Sequence, residues 1–402
     1  MVRFLHTADV QLGMRALEAS SVGERLRNVR FETLQRIIQC ANEGSVDFVL
    51  IAGDLFENHQ VSASTVTRAI QILSESAAPV YVLPGNHDWW DAGSVYRRPE
   101  FQSAWTDRIV ILTDAQVREA PGDVLLYPCP ITQRWSQEDP TAWIPHRESQ
   151  DSIRIGVAHG TLFAPSGADR QFPVEVDIAL ERGLDFLALG HIHGVRLWPE
   201  KRMAYSGTPE PTRFGERDAG QVLIIEVEAP GAPPHITSHS VGSLCWEQWQ
   251  EIVEDPLEDT LDHLRRRIRD RDDAANLLLR LELRGTVQVD DLPRLEAFEQ
   301  EMVARCENGQ LLYFEAEREL SLREEVEGAL QLLTERDPLI ADVLADLRAL
   351  AGSATAEDAA RSRSLDELVQ SFQATQPEGL AMSQVAQESL RWLAQLSAEV
   401  LS

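Results

Sequence analysis

Five times in the first half of the chain, a short apolar run ends in residues that carry lone pairs or exchangeable protons. Arg3-Phe4-Leu5-His6-Thr7 leads to Asp9 and Gln11. Asp47-Phe48-Val49-Leu50-Ile51 leads through Gly53 to Asp54. Val80–Leu83 leads through Pro84 and Gly85 to Asn86, His87 and Asp88. Residues 153–158 lead to His159, and Asp185-Phe186-Leu187-Ala188-Leu189 leads through Gly190 to His191 and His193. Strands buried on both faces read as continuous apolar runs. Ligands in open α/β sheets gather beyond the carboxyl ends of such strands. The pattern therefore predicts that five segments deliver carboxylate, amide and imidazole groups to one edge of one core. A single Asp-x-Gln or His-x-His is weak; five in order, each at a strand end, is a strong constraint.

The segments between these runs fit that arrangement. Residues 24–42 and 61–76 have helical spacing and separate the first three strands, so they form βαβ units with parallel pairing. Residues 107–130 read as two or three short strands, 175–182 as a short helix, and 221–228 and 235–241 as two further strands. His59 reads as a solvated loop residue, and His235 and His239 as ordinary strand residues. Trp143 and His146 lie in a surface loop over 140–150. Trp89 and Trp90 suit either core packing or base stacking. Arg97 and Arg98 suit either a phosphate contact or a solvated pair.

Beyond Trp246 the character changes. Residues 257–268 and 293–306 read as helices, 276–283 and 311–315 as strands, a compact α/β unit without a ligand cluster. From Ser321 on, the chain reads as helical and acidic, with helical spacing over 325–333, 339–350 and 379–401 and a small, polar linker over 352–364. The expected domains are 1–245, 246–318 and 319–402. The last amphipathic helix suits docking on a partner or packing on its own chain.

Charge and cysteine usage narrow the class. Formal net charge is −28, about −8 over residues 1–220 and about −20 over 221–402. Such a surface counts against indiscriminate binding of polyanions. It leaves a nuclease open, because bound metal ions supply positive charge where a phosphate sits. No apolar run is long enough to span a bilayer. The opening Met1-Val2-Arg3-Phe4 runs straight into a strand, so no signal peptide is expected. Cys40, Cys129, Cys245 and Cys306 are far apart and form no CxxC pair. They read as thiols of a cytoplasmic protein, outside any disulfide framework or zinc site.

The order of ligand types fits two metal ions. Asp54, alone on its loop, is the natural bridging carboxylate. Asp9, Gln11, Asp54 and His193 would surround one ion, and Asp54, Asn86, His159 and His191 the other. An oxygen and nitrogen set without thiolate suits manganese, iron or zinc. Two ions about 3.5–4 Å apart clamp the attacking and leaving oxygens of a phosphoryl displacement. His87, with Asp88 beside it, is free to protonate the leaving oxygen or to stabilise the developing charge.

This constellation resembles the calcineurin-like metallophosphoesterases in Asp9-x-Gln11, Gly53-Asp54, Gly85-Asn86-His87-Asp88, Ala158-His159-Gly160 and Gly190-His191-Ile192-His193. Three stretches, Phe4-Leu5-His6-Thr7-Ala8-Asp9, Gly53-Asp54-Leu55-Phe56 and Tyr205-Ser206-Gly207-Thr208-Pro209-Glu210, are similar to the DNA repair exonucleases of the SbcD and YhaO kind. The resemblance covers residues 1–245 with specific motifs and the rest by layout alone. It implies a two-sheet α/β sandwich flanked by helices, followed by a small α+β cap and a helical C-terminal segment. It implies a nuclease of the 3′–5′ exonuclease or endonuclease type, acting on DNA in repair through two divalent ions, with manganese supporting activity. It also implies an SMC-like ATPase partner (SbcC/YhaN type) bound by the C-terminal helices, and a homodimer through the first domain's helices. One departure stands out: the family's first motif is usually Asp-x-His, and here Gln11 supplies a weaker, uncharged donor.

Two other readings remain open at this level. One is a phosphodiesterase or phosphatase of the same fold acting on nucleotides, small phosphoesters or phosphoproteins. The protein phosphatases usually carry Asp-Arg-Gly after the second motif, whereas Leu55-Phe56-Glu57 follows Asp54 here. The other is a catalytically weak scaffold, because Gln11 stands in the place of the histidine.

Overall fold

The computed structural model describes residues 1–15, 17, 22–102, 108–149, 151–162, 171–322, 338–351, 386 and 389–390. The expected helices over 325–333 and 379–401 and the linker over 352–364 lie outside the described residues, apart from three isolated positions of the last helix.

In chain order the first unit contains β1 (Val2–Thr7), α1 (Gly23–Glu43), β2 (Phe48–Ala52), α2 (Ala63–Ser74), β3 (Val80–Leu83), α3 (Pro99–Gln102) and β4 (Ile109–Ile111). Next come β5 (Arg118–Ala120), β6 (Val124–Cys129), β7 (Ile153–His159), β8 (Thr161–Leu162), β9 (Pro173–Val174), α4 (Ile178–Glu181) and β10 (Phe186–Gly190). It ends with β11 (Arg196–Trp198), β12 (Met203–Tyr205), β13 (Gln221–Val227) and β14 (His235–Ser240).

These strands make two six-stranded sheets, ordered β14-β13-β1-β2-β3-β4 and β11-β12-β10-β7-β6-β5. In the first, β1, β2, β3 and β4 run parallel, with Phe4 opposite Phe48 and Val49 opposite Val80. In the second, β6, β7, β10 and β12 run parallel, with Gly190 opposite His159. The outer strands β13, β14, β11 and β5 are antiparallel to their neighbours. The five ligand-bearing strands therefore divide three and two between the sheets of a two-sheet sandwich, as the resemblance implied, and the sheets share one core. Residues 109–129, through β4, β5 and β6, carry the chain from one sheet to the other.

Alternation along each strand explains why the runs are apolar throughout. Phe4, Phe48, Leu50 and Tyr81 face one way, into a core shared with Ile155, Val157, Phe186 and Ala188 of the second sheet. Phe4 stacks on Phe48 at 4.9 Å and meets Phe186 edge-on at 5.8 Å. Leu5, Val49 and Ile51 face the other way, onto Leu34, Ile37 and Ile38 of α1 and Val66, Ala69 and Ile72 of α2. Leu187, Leu189 and Met203 pack outward from the second sheet onto Ile178, Ala179 and Leu184. Each fully buried side chain of this size contributes about 1.5–3 kcal/mol of transfer free energy. A sheet pair buried on both faces holds its strand ends rigidly.

The chain divides into Met1–Glu247 with Asn276–Leu278, and Gln248–Ala275 with Leu279–Ser402. The second part contains α5 (Leu257–Arg269) and α6 (Leu292–Glu307), with a three-stranded sheet ordered β15 (Cys245–Val253), β16 (Leu277–Val287), β17 (Tyr313–Leu322). Strand β15 begins just before the division. It was not legible because it is an edge strand in which Trp249 and Val253 alone are buried. β17 runs on to Leu322, through residues whose acidic, Leu-spaced character reads as the start of a helix. A last described helix, α7 (Pro338–Ala351), coincides with the helical spacing over 339–350.

Candidate metal centre

The loops that follow β1 and β2 are laced together before any side chain is considered. Asp9 N–H donates to Gly53 O (3.0 Å), Gln11 N–H to Asp54 O (2.9 Å) and Leu12 N–H to Leu55 O (2.9 Å). This lacing bends Asp9, Gln11 and Asp54 into the left-handed region, at φ 54°, 51° and 54°, and His191 lies at φ 99°. Non-glycine residues are uncommon there, and each costs on the order of 1–3 kcal/mol. Four of them on three loops at one edge of the sheets mark a place where position outweighs local comfort.

The glycines of the motifs have a steric reason. A Cβ on Gly53 would lie 2.1 Å from Nδ1 of His159, and one on Gly85 would lie 2.2 Å from Oδ1 of Asp54. Gly53 also needs φ +96°. Both positions let a neighbouring loop press against a polar side chain of the cluster.

Asp9, Asp54 and His159 are buried and bring one ligand atom each within 4.8 Å of one another. His159 Nδ1 sits 2.9 Å from Ala52 O, so that nitrogen carries the hydrogen. Its Nε2 then turns a lone pair toward Asn86 Oδ1 (2.8 Å) and Asp54 Oδ2 (3.3 Å). His191 Nδ1 also meets Asn86 Oδ1, at 2.9 Å. His191 N–H donates to Asp9 Oδ1 (3.2 Å) and Oδ2 (3.0 Å). At His159 Nε2 an acceptor thus faces acceptors in a buried space, a conflict that a proton or a cation reconciles.

The titration behaviour expresses the same conflict. Burial alone would lower the pKa of His159, but the Asp54 carboxylate reverses this and raises it to about 9. Burial would raise Asp54, and His159 outweighs it, to about 2. Burial, helped by the charge of His159, lowers His191 to about 3. The donor set fits divalent cations: two carboxylates, an amide oxygen and imidazoles, with no thiolate.

On the other side of the cluster, Gln11 Nε2 lies 3.4 Å from His193 Nε2. The opposite nitrogen of His193, Nδ1, is 2.6 Å from Glu216 Oε1. Thr212 donates to that carboxylate from its N–H and its hydroxyl, both at 2.7 Å. Burial would raise Glu216, but the His193 hydrogen bond prevails and holds it at about 2. Carboxylates of this kind fix the tautomer and ring angle of a ligating imidazole. Glu216 was missed in the sequence because a lone Glu in a polar turn carries no spacing signal.

His87 stands beside the cluster and faces outward. Its N–H donates to Asp54 Oδ1 (2.9 Å), and its Nδ1 lies 2.9 Å from Glu57 O and 3.7 Å from Glu57 Oε1. The expected pairing with Asp88 is not what is found. Asp88 points into the fold and accepts from Gly85 N (2.8 Å), Phe56 N (3.0 Å) and Tyr96 Oη (2.5 Å). Adjacent residues on a tight turn point in different directions, and the carboxylate that meets the His87 ring is Glu57, 30 positions away.

The remaining candidates separate cleanly. Arg98 is tied to the backbone oxygens of Val61 and His59, and Arg97 lies over the Trp90 ring at 4.0 Å. Trp89 meets His59 edge-on at 4.2 Å. His146 is fixed to Glu181 O at 2.9 Å.

A family model, calcineurin-like phosphoesterase, matches residues 2–195, which include all seven residues of the expected ligand set. Residues 2–195 form a calcineurin-like phosphoesterase domain. Its fold uses a dinuclear divalent-metal centre, and the chain is accordingly a phosphoester hydrolase. The phosphoesterase chain is 27% identical over 309 residues to the uncharacterized metallophosphoesterase YhaO of Bacillus subtilis, covering 70% of this chain and 72% of that protein. It is 25% identical over 302 residues to the DNA double-strand break repair protein Mre11 of Methanopyrus kandleri, covering 67% and 62%. With Mre11 of Aeropyrum pernix the identity is 24% over 256 residues, covering 59% and 58%. The chain thus spans about three fifths of these two Mre11 proteins. No helix among the described residues is long and apolar enough to cross a membrane.

Proposed function

We propose that this phosphoesterase is a metal-dependent DNA nuclease of the 3′–5′ exonuclease or endonuclease type, working in DNA repair with an SMC-like ATPase. The observation that carries the reading is the meeting of Asp9, Asp54, Asn86, His159 and His191, with His87 beside them, tied to Asp54 through its backbone N–H while its ring turns to Glu57. Relatives named for double-strand break repair support DNA as the substrate.

Asp9, Gln11, Asp54 and His193 would hold one ion, and Asp54, Asn86, His159 and His191 the other, with manganese as the working metal and iron or zinc as alternatives. When bound, such ions supply charge neutralisation at the phosphate and a water of lowered pKa. His87 donates a proton to the leaving oxygen from its outward edge, held by Glu57 and by Asp54 through its backbone. Asp88 is a positioning residue: it ties Gly85 and Phe56 together and so fixes the turn that carries Asn86 and His87. In this reading residues 1–245 are the nuclease domain, 246–318 the cap, and 319–402 the segment that docks on the ATPase.

The test is a digestion of linear duplex and single-stranded DNA in manganese, with and without the candidate ATPase. His87→Ala should lower the rate about 10²–10⁴-fold while the metal content stays that of the unaltered protein. Hydrolysis of bis(p-nitrophenyl) phosphate with none of DNA would replace this reading by a phosphodiesterase of small esters, which the net charge of −28 favours. A chain inert toward both would be a scaffold.

A further inference from the structure

A cleft of about 590 Å³ is lined by His191 and His193 together with Arg196, Arg213 and Arg217. Glu216 and Asp218 also line it. Glu216 is committed to His193 and Thr212, with Arg213 Nε at 3.4 Å from it. The lining thus holds three cations against two carboxylates, in a chain whose net charge is −28. The local excess of positive charge is opposite in sign to the net charge of the chain.

The wall is built, and its construction passes through the candidate metal centre. Val195 N–H donates to Asp218 O at 3.0 Å, and Thr208 N–H to His193 O at 2.9 Å. Thr212 donates to Glu216, and Glu216 accepts from His193. The turn carrying Arg213 and Arg217 is therefore fixed relative to the His193 ring by three links. A Cβ on Gly215, between the two arginines, would meet nothing within 4 Å, so the turn stands open to solvent. Exposed arginines on a rigid turn lose little entropy on meeting an anion and bind phosphate oxygens in a fork.

We propose that this cleft is a subsite for the phosphodiester backbone next to the scissile phosphate, so that the site takes a polynucleotide chain in preference to a small phosphoester. The subsite rests on the nuclease reading above and names where the rest of the strand runs. His193 borders both the candidate metal centre and the cleft lined by the arginines, so a phosphate over the centre has its neighbour along the strand on that side.

The experiment measures binding apart from cleavage. A fluorescein-labelled single-stranded oligonucleotide is titrated with the full chain by anisotropy, in a chelator that prevents hydrolysis. Arg213→Ala/Arg217→Ala should weaken binding at least fivefold and reduce the slope of log K against log salt by about 0.7 per arginine. Arg213→Lys/Arg217→Lys should recover most of the slope, because the charge is retained. In manganese, the ratio of kcat/KM for the oligonucleotide to that for bis(p-nitrophenyl) phosphate should fall in the alanine variant, through KM. A variant with unchanged affinity and salt slope overturns the subsite, even if the protein cleaves DNA. Arginine-dependent binding in a protein that cleaves no DNA upholds the subsite and overturns the nuclease reading alone.

Discussion

His6 shows what a single residue contributes when the fold surrounds it. It lies on β1 opposite Leu50 and Leu223, is fully buried, and meets the Phe186 ring edge-on at 6.2 Å. Burial lowers its pKa to about 3, against about 6.5 in an unfolded chain. Between those two values the unfolded chain binds a proton that the folded one refuses. The stabilisation is therefore complete above pH 6.5 and is lost progressively as pH falls toward 3. At pH 5 the loss from this one group is about 2 kcal/mol. His6→Leu should lose about that much less stability than the unaltered protein between pH 7.5 and 5.0, in urea unfolding of metal-free protein. An equal loss in both proteins would place the acid sensitivity elsewhere. His6 was readable in the sequence as part of an apolar run, but nothing there said that its ring has no water to protonate in.

At the scale of elements, the strand ends were legible and the struts between them were not. Asp54, Asn86, His159 and His191 each follow an apolar run, and a periodic signal of that kind survives without coordinates. Arg30 and Glu210 give no such signal. Arg30, in the middle of α1, donates to Val10 O at 3.0 Å and Pro211 O at 3.0 Å. Glu210 accepts from Thr33 Oγ1 at 2.6 Å, Ser243 N at 2.7 Å and Leu244 N at 3.1 Å. Their partners lie between 20 and 181 positions away, beyond any local pattern. The two residues join α1 to the loop between Asp9 and Gln11 and to the turn after β12. Glu210→Ala leaves buried donors without an acceptor and should cost about 3–5 kcal/mol. The carboxylate anchors the turn whose backbone oxygens, Glu210 O and Pro211 O, hold Arg30 against Val10 O, so manganese affinity should fall as well, while the rate at saturating manganese changes less. Thermal melts and a metal titration measure the two effects separately. A melt within a degree or two of the unaltered protein would mean that the α1 helix docks without this carboxylate.

At the scale of the whole molecule, the claim with most at stake is that loops from position 9 to position 193 share one set of cations. Asp9, Asp54 and His159 bring buried ligand atoms together, so divalent ions should bind there in preference to scattered surface carboxylates. A ligand that binds the folded form alone stabilises it by about 2.7 kcal/mol at a hundred times its Kd. Amide hydrogen exchange with and without manganese reads where that free energy acts. The expected result is slower exchange, over one range of manganese concentration, in the loops after β1, β2, β3, β7 and β10 together. Gln11 offers an amide where an imidazole would bind more tightly, so the titration should show two steps of unequal affinity. Gln11→His should bring the steps closer. Protection confined to the loops after β1, β2 and β3, with His159, His191 and His193 unaffected, would mean that the two sheets do not share a centre. Two steps of equal affinity would mean instead that Gln11 is no weaker a donor than its neighbours.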